Sequence, residues 1–418
     1  MTNDAGRREA ARRRLNVISE SFHPAYVVWE LTLRCDHACH HCGSRAVKAR
    51  PDELSVEEAL QVVTELEEMG AHEVVLIGGE AYLHEGFLDI IAALSKAGIT
   101  PVMTTGGMGI TIELAHKMAQ AGLRRTSVSV DGMRRTHDRM RNRQGSFEHT
   151  SLALSNLREA GIDISANTNF NRLNQHELEP LFEHLKAHGV KSWQIQITSA
   201  LGRAADRPQM LFQPWDLLDF LPRVATLKEK GLTEGLLIMP GNNLGYYGPE
   251  EALLRSQSKN AGDHFRGCQA GRYVMGIESD GAVKGCPSLQ TSHYVGGNLR
   301  AQTIRSIWES SEQLAFTRVR GVDNLWGFCK KCPFAEVCLG GCSFTSHALF
   351  GRPGNNPYCH YRARALAKEG KRERLIPRQL AKGTPFDHGL FDIAVEPLDS
   401  PDETGPVSLD KLVQLTVH

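Results

Sequence analysis

Ten cysteines are the residues of this 418-residue chain most suited to chemistry, and they fall into two separated groups. Cys35, Cys39 and Cys42 form a Cys-x3-Cys-x2-Cys run, and a long stretch without cysteine follows them. The other seven lie towards the C-terminus, at Cys268, Cys286, Cys329, Cys332, Cys338, Cys342 and Cys359. In a compartment that keeps thiols reduced, such spacings indicate metal ligands or catalytic thiols and not disulfides. We therefore expect two metal-binding regions.

The first group supplies three thiolates from one short loop. Iron–sulfur clusters are usually held by four cysteine thiolates, so a set of three leaves one iron open to an external ligand. Zinc is the alternative, since His37, His40 or His41 could complete a site of three cysteines and one histidine.

The second group combines Gly-x4-Cys, at Gly281 and Cys286, with a Cys-x2-Cys-x5-Cys-x3-Cys run that begins at Cys329 and ends at Cys342. A structural zinc ribbon is one interpretation of this pattern. Seven is an odd number for closed four-ligand sites, which favours iron–sulfur chemistry over zinc.

A repeated strand and helix pattern must position the first group. Between residues 26 and 198 an apolar strand followed by an amphipathic helix that stops at glycine recurs six times. This rhythm indicates parallel βαβ units. It predicts an α/β fold, a partial (β/α)6 TIM-like barrel with its chemistry at the C-terminal strand ends; a doubly wound open sheet is the alternative. The predicted strands are Tyr26–Leu33, Glu73–Ile77, Ile99–Thr104, Thr126–Val130, Ile164–Asn169 and Trp193–Thr198.

Composition and charge exclude several classes of protein. Hydrophobic residues make up 41% and charged residues 23% of the chain, which is typical of a globular protein. Basic and acidic residues both number 48, so no net field attracts nucleic acid or an anionic membrane. No apolar run approaches the ~20 residues of a membrane span, and none follows the basic start at 7–14 as in a signal peptide. We expect a cytoplasmic protein.

The pattern divides the chain into five segments. We predict an N-terminal extension at 1–24, the barrel at 25–230, a bridging segment at 231–262, a cysteine-rich domain at 263–365 and a C-terminal tail at 366–418. Residues 400–406 have the composition of an unstructured tail. Leu390–Val395 and Leu409–Val417 are candidates for short docked elements.

The Cys-x3-Cys-x2-Cys run that follows a Trp-Glu-Leu-Thr strand resembles the signature of the radical S-adenosylmethionine superfamily. The resemblance implies a [4Fe-4S] cluster whose open iron binds S-adenosylmethionine, and reductive cleavage to a 5′-deoxyadenosyl radical that takes hydrogen from a substrate. Two positions depart from the family pattern: His41 stands where an aromatic residue is usual, and Ala81 where proline is common.

The same resemblance assigns cofactor contacts to residues at later strand ends. Gly78, Gly79 and Glu80 would contact the methionyl group, because glycines allow close backbone approach and a carboxylate accepts from an ammonium. Within Ser129-Val130-Asp131-Gly132, Ser129 would contact the ribose or carboxylate. The Arg141 guanidinium would bind the methionyl carboxylate, and Asn169 would reach the nucleoside. The alternatives are a solvated surface arginine and a turn asparagine.

The second cysteine group resembles the SPASM domain, the auxiliary-cluster module of peptide-modifying radical enzymes. This resemblance implies two auxiliary iron–sulfur clusters, expected as [4Fe-4S]. The first would use Cys268, Cys286 and Cys342 and keep an open or non-cysteine fourth position. The second cluster would use Cys329, Cys332, Cys338 and Cys359. Sulfatase-maturing members carry aspartate where Pro287 stands here, which disfavours that activity.

These resemblances predict an enzyme that oxidatively modifies a ribosomally made peptide. Its expected partners are that peptide, recognised with or without a leader segment, and a flavodoxin- or ferredoxin-type electron donor. A separate peptide-recognition protein is a further option. With all ten cysteines assigned to clusters, no thiol remains to return hydrogen, so we predict a cross-link; Tyr82 is the alternative hydrogen donor. A haem- or cofactor-pathway enzyme, a peptide epimerase and a zinc-bound scaffold are the other hypotheses.

Overall fold

The computed structural model describes residues 22–258, 262–404 and 408–412. The predicted N-terminal extension, with its basic start, therefore lies almost wholly outside the described residues, as does most of the segment 409–417. Within the described ranges, no helix combines the length and apolar character needed to cross a bilayer.

All six predicted strands are present, with ends shifted by one residue at most. They lie side by side in chain order, and every pair is parallel. Parallel order with helices between the strands confirms the predicted α/β barrel and excludes the doubly wound alternative, whose strand order reverses. The strands are β1 (Tyr26–Thr32), β2 (Glu73–Gly78), β3 (Thr100–Thr105), β4 (Arg125–Ser129), β5 (Asp163–Phe170) and β6 (Ser192–Ile197).

Helices cover the outside of this sheet. Ser55 opens the first with a capping box, in which its hydroxyl accepts from the Glu58 amide at 3.2 Å. On β1, Trp29 packs outward against the helices, whereas Val28 meets Val75 and Val102 inside the barrel. The barrel helices are α1 (Val56–Glu68), α2 (Phe87–Lys96), α3 (Ile112–Ala121), α4 (Arg134–Arg141), α5 (Ser146–Glu159), α6 (Leu178–Ala187) and α7 (Leu217–Glu234).

A seventh parallel strand, β7 (Leu237–Pro240), pairs with β6. The predicted boundary at residue 230 falls inside α7, and β7 extends the sheet beyond the six predicted strands. Four residues are too few to show a strand period, so only the pairing with β6 reveals this strand.

The cysteine-rich region continues the barrel sheet at its opposite edge. Strand β8 (Val274–Ile277) pairs in parallel with β1, and β9 (Ala282–Lys284) and β10 (Val295–Asn298) follow in antiparallel order. The two regions therefore share one ten-stranded sheet. The later helices are α8 (Glu251–Arg255), α9 (Thr291–Tyr294), α10 (Ile304–Ser310), α11 (Glu312–Ala315), α12 (Gly327–Lys330), α13 (Ala335–Cys338), α14 (Ser343–Phe350) and α15 (His360–Lys368). Single 3-10 turns lie at Ala81–Leu83, Gln175–Glu177, Gly202–Ala204, Pro208–Met210, Pro214–Asp216, Val322–Asn324 and Leu409–Lys411.

The segment predicted as a tail contains a β-hairpin. Strands β11 (Lys371–Gln379) and β12 (Leu390–Pro397) pair antiparallel, with Leu375 and Phe391 buried in the main core. The prediction that Leu390–Val395 forms a short element is confirmed, but β11, which is rich in charged residues, was missed. Its charges are satisfied by partners, as when Arg372 and Arg374 both donate to Glu396.

Candidate active site at the mouth of the barrel

The first three cysteines lie on the loop that leaves β1. The Cys35 amide donates to Val47 O at 3.1 Å, and the Cys42 amide donates to Cys39 O at 3.3 Å, so the loop curls back on itself. Burial raises the pKa of Cys35, and Glu80, Cys39 and Cys42 add to that rise. Burial also raises the pKa of Cys39 to about 11. One buried thiol, Cys39, and two half-buried thiols, Cys35 and Cys42, on one loop fit a metal cluster, which binds cysteine as the thiolate.

Glu80 approaches this loop because two glycines precede it. A Cβ on Gly79 would lie 2.1 Å from Arg34 O, so no larger residue fits between the ends of β1 and β2. The Glu80 carboxylate accepts from the Thr105 hydroxyl at 2.5 Å and from the Gly106 amide at 2.6 Å. Burial, and then Asp36, raise its pKa to about 8. Cys35 and Glu80 present ligand atoms within 4.8 Å of each other.

Arg141, the last residue of α4, is buried beside the same loop. Its guanidinium lies 2.7 Å from Asp131 Oδ2 and 3.7 Å from Cys39 Sγ. The solvated-surface interpretation of this arginine is therefore wrong. His41 Nε2 lies 3.1 Å from the same Asp131 oxygen, which holds this ring at the position where the family pattern has an aromatic residue.

Asp131 is the buried residue that joins these groups, and the predicted set of contacts omitted it. Burial would raise its pKa, but Arg141 and then His41 hold that pKa well below the usual range. The available signal was a carboxylate directly after β4, two residues beyond Ser129. Its partners lie on the cysteine loop, on α4 and on β5, which the linear pattern does not relate.

Ser129 and Asn169 lie at the ends of neighbouring strands. Ser129 is buried and is the last residue of β4. The Asn169 amide donates to Asp131 Oδ1 at 2.9 Å, and Asn169 O accepts from the Asn174 side chain at 3.0 Å. The backbone of Asn169 thus belongs to the site.

The arrangement fits a three-thiolate cluster with an amino-acid ligand on its open iron. The three thiols have a carboxylate, Glu80, and a guanidinium, Arg141, beside them, which suits an ammonium and a carboxylate on one ligand. Gly78 is required at the end of β2, because a Cβ there would lie only 2.2 Å from Thr32 O.

The other seven cysteines lie in two places. Cys268 and Cys286 share an apolar cluster with Tyr294. Burial, and then the nearby Cys268, raise the pKa of Cys342 to about 11. Burial, then Cys268, raise the pKa of Cys286 to about 12. The remaining four line one cavity together with Tyr246, Tyr247, Phe334 and Tyr361: Cys329, Cys332, Cys338 and Cys359. The two spatial sets are the ones predicted.

A cavity of about 550 Å³ lies beside the cysteine loop. It is lined by Leu33 directly after β1, by Pro385 from the loop between β11 and β12, and by residues of the segment that follows Cys42: Arg45, Val47, Lys48, Ala49, Arg50 and Pro51. The hairpin loop is anchored there, since the Phe386 amide donates to Gly43 O at 3.0 Å and the Gly202 amide to Asp387 O at 2.8 Å. Arg45 ties these segments together through Asp387 and Asp206.

Comparison with known families decides the class of this site. The model of the Radical SAM superfamily matches residues 29–185, and that of the SPASM iron–sulfur cluster-binding domain matches residues 268–333. The chain is a radical SAM enzyme with a SPASM domain. S-adenosylmethionine and iron–sulfur clusters are accordingly its cofactors.

Several radical SAM proteins resemble the chain over most of its length. It is 28% identical to the AdoMet-dependent heme synthase of Nitratidesulfovibrio vulgaris, covering 81% of this chain and 93% of that protein. It is 29% identical to the mycofactocin maturase MftC of Mycolicibacterium smegmatis, covering 83% and 86%. The solved structure of native anSMEcpe with bound AdoMet shares the fold, with a TM-score of 0.65, 17% identity, and coverage of 81% and 94%.

Proposed function

We propose that this radical SAM enzyme oxidises a ribosomally made peptide and leaves a cross-link. Bound S-adenosylmethionine supplies the 5′-deoxyadenosyl radical that removes a hydrogen atom. The observation that carries the proposal is the position of the thiols: all ten cysteines belong to three buried or half-buried sets, and the cavity lining, as described, contains none.

The residues around the first thiols have complementary roles in this proposal. Cys35, Cys39 and Cys42 hold the cluster. Glu80 accepts from the ammonium of the cofactor, and the guanidinium of Arg141 orients its carboxylate, while Asp131 keeps that guanidinium in place. Gly78 and Gly79 give the methionyl group room, and Ser129 and the Asn169 backbone border the nucleoside.

A hydrogen donor for the substrate radical is the feature that an epimerase needs. The alternative donor, Tyr82, donates its hydroxyl to Asp36 and accepts from the Gly109 amide at 3.0 Å. Burial raises the pKa of this phenol. With Tyr82 engaged outside the cavity lining, the substrate radical would form a bond to a neighbouring side chain, with one electron passing to an auxiliary iron–sulfur cluster held by the C-terminal cysteines and the proton of that side chain passing to solvent, so that the net change is the loss of two hydrogens.

The charges of the cavity favour a peptide over a substrate with many carboxylates. Arg45 is paired with Asp206 and Asp387, and Arg50 with Glu30 and Glu278. Among the residues that the structure describes, Lys48 is the cavity cation without a carboxylate partner. A porphyrin with several propionates would leave most of its charges unpaired on burial, which is costly.

The decisive experiment is mass analysis of a short peptide encoded beside the gene, after anaerobic incubation with reduced enzyme, a flavodoxin and S-adenosylmethionine. We expect a product lighter by two hydrogens and no product from the Cys35→Ala variant. A product of unchanged mass that carries solvent deuterium at an alpha carbon would instead establish an epimerase.

A haem-pathway activity is the second candidate, because the heme synthase of N. vulgaris resembles the chain over a similar length. An iron porphyrin with propionate side chains is the matching probe. Loss of carboxyl mass from this porphyrin, with the peptide unchanged, would contradict the peptide proposal. We place either reaction in the cytoplasm, where thiols stay reduced.

A further inference from the structure

We propose that His293, His347 and His388 form a binding site for a divalent transition-metal ion, with Zn²⁺ as the preferred occupant. Each side chain offers one ring nitrogen, and the three nitrogens lie within 4.8 Å of one another. Imidazole is a preferred ligand of zinc, and a three-histidine set leaves the fourth tetrahedral position for water.

The three histidines come from three parts of the fold. His293 is on α9, His347 is on α14, and His388 is in the loop between β11 and β12. Their ring centroids are 4.8 Å apart for His293 and His347 and 5.1 Å apart for His347 and His388. A local turn therefore does not explain their convergence.

Hydrogen bonds at Nδ1 leave Nε2 of each ring available. His388 Nδ1 lies 2.6 Å from Gly389 O, so Nδ1 carries the proton and Nε2 carries the lone pair. The Nδ1 atoms of His347 and His293 contact the Tyr294 hydroxyl at 2.9 Å and the Ser292 hydroxyl at 2.8 Å, and both hydroxyls are able to accept. Outer partners of this kind orient histidines that bind metal.

A second observation points to a ligand at this place. His347 is only 3% exposed, and its Nε2 atom is buried without a hydrogen-bond partner among the described residues. A buried ring nitrogen without a hydrogen-bond partner destabilises the folded protein. A metal ion shared with His293, which is exposed and gives solvent access, would satisfy it.

A metal ion at this site would fix the position of the loop between β11 and β12. His388 follows Asp387, which forms an ion pair with Arg45. The backbone of His388 also pairs with that of Leu201, near the loop that carries Cys35, Cys39 and Cys42. Through Tyr294, His347 is linked to the apolar cluster that contains Cys268. One ion would thus join the hairpin loop beside the cavity to the SPASM domain.

The test is zinc titration of the reconstituted, anaerobically prepared enzyme against a chromophoric chelator. We expect about one tightly held Zn²⁺ per chain beyond any bound at empty cluster sites. His293→Ala and His388→Gln should each weaken this binding by about 100-fold or more, since even outer-partner changes cost 10–100-fold. Iron and sulfide content should stay at the wild-type level. His116→Gln, an exposed histidine on α3, is the matched control and should bind zinc as wild type does.

A second readout does not depend on counting zinc. Added Zn²⁺ should slow backbone hydrogen exchange in residues 380–389 of the wild-type enzyme and of His116→Gln, but not of His293→Ala. Because His293 is exposed and lies outside that loop, its replacement leaves the fold intact. Equal zinc affinity in wild type and His293→Ala, or no zinc effect on exchange, would overturn the proposal.

Discussion

Asp131 and Arg141 form a buried ion pair beside the radical cysteine loop, with 2.7 Å between Oδ2 and a guanidinium nitrogen. Asp131→Asn removes the charge that holds both Arg141 and His41. We expect affinity for S-adenosylmethionine to fall by about 1.5–3 kcal/mol, the worth of a charge-assisted hydrogen bond, with iron content unchanged. Equilibrium binding to reconstituted enzyme measures this. Asp89→Asn, at an exposed site on α2, is the control. Equal cofactor affinities of the wild type, Asp131→Asn and Asp89→Asn would show that Asp131 has no role in cofactor binding.

Glu80→Gln tests the carboxylate on the other side of the loop. The substitution keeps the size of the side chain but loses the negative charge that an ammonium requires. Cofactor binding should weaken, and the iron–sulfur absorbance should remain. Glu85→Gln, exposed five residues later, should bind the cofactor normally. Loss of iron in Glu80→Gln would show that this carboxylate supports the cluster and not the cofactor.

Replacing Cys35, Cys39 and Cys42 together by alanine separates the cluster sites. Formation of 5′-deoxyadenosine should stop, and about four iron atoms per chain should be lost, since one [4Fe-4S] cluster disappears. The auxiliary absorbance should persist, because the other seven cysteines lie elsewhere. Chromatography of the nucleoside and iron analysis check both statements. Continued cofactor cleavage would refute the assignment.

The ion pair between Arg362 and Glu373 joins α15 to the hairpin strand β11, with 2.6 Å between the charged atoms and almost no exposure of either side chain. Glu373→Ala leaves a buried guanidinium without its partner. We expect a loss of about 3–5 kcal/mol in stability. Glu309→Ala, which breaks the exposed pair with Arg305, should cost less than about 0.5 kcal/mol. Melting curves under one buffer compare the two; similar shifts would contradict a buried structural pair.

The low pKa of His184 should make the free energy of unfolding depend on pH. Burial, and then His188, lower the pKa of His184 to about 4, while the unfolded chain has a histidine pKa of about 6.5. The folded state thus binds fewer protons in this window. Stability is full above pH ~6.5 and falls as pH drops towards about 4.

The matching variant is His184→Gln, which does not titrate. Its melting temperature should fall less between pH 7 and pH 5 than that of the wild type. His116→Gln is exposed and should follow the wild-type curve. An identical pH dependence in His184→Gln would mean that other groups carry the effect.

The strands of the barrel were predictable because each is long enough to show its apolar pattern and because the helices between them, other than α4, are followed within two residues by a glycine. The short strand β7 was not, and neither was β11, where charged residues such as Arg372 and Glu373 hide the strand pattern. These strands form because partners are present: β6 for the first, and buried ion pairs for the second.

The sequence by itself determined the parallel barrel, the loop that carries Cys35, Cys39 and Cys42, and the C-terminal group of seven cysteines, because ligand spacing within a loop and strand periodicity are local properties. The division of those seven into two sets was implied by the resemblance to the SPASM domain. Only the tertiary structure decided that Asp131 joins Arg141 to His41, that the SPASM region extends the barrel sheet through β8, and that His293, His347 and His388 meet. Such contacts join residues far apart in the chain. They depend on the summed packing of many side chains, which no short pattern records.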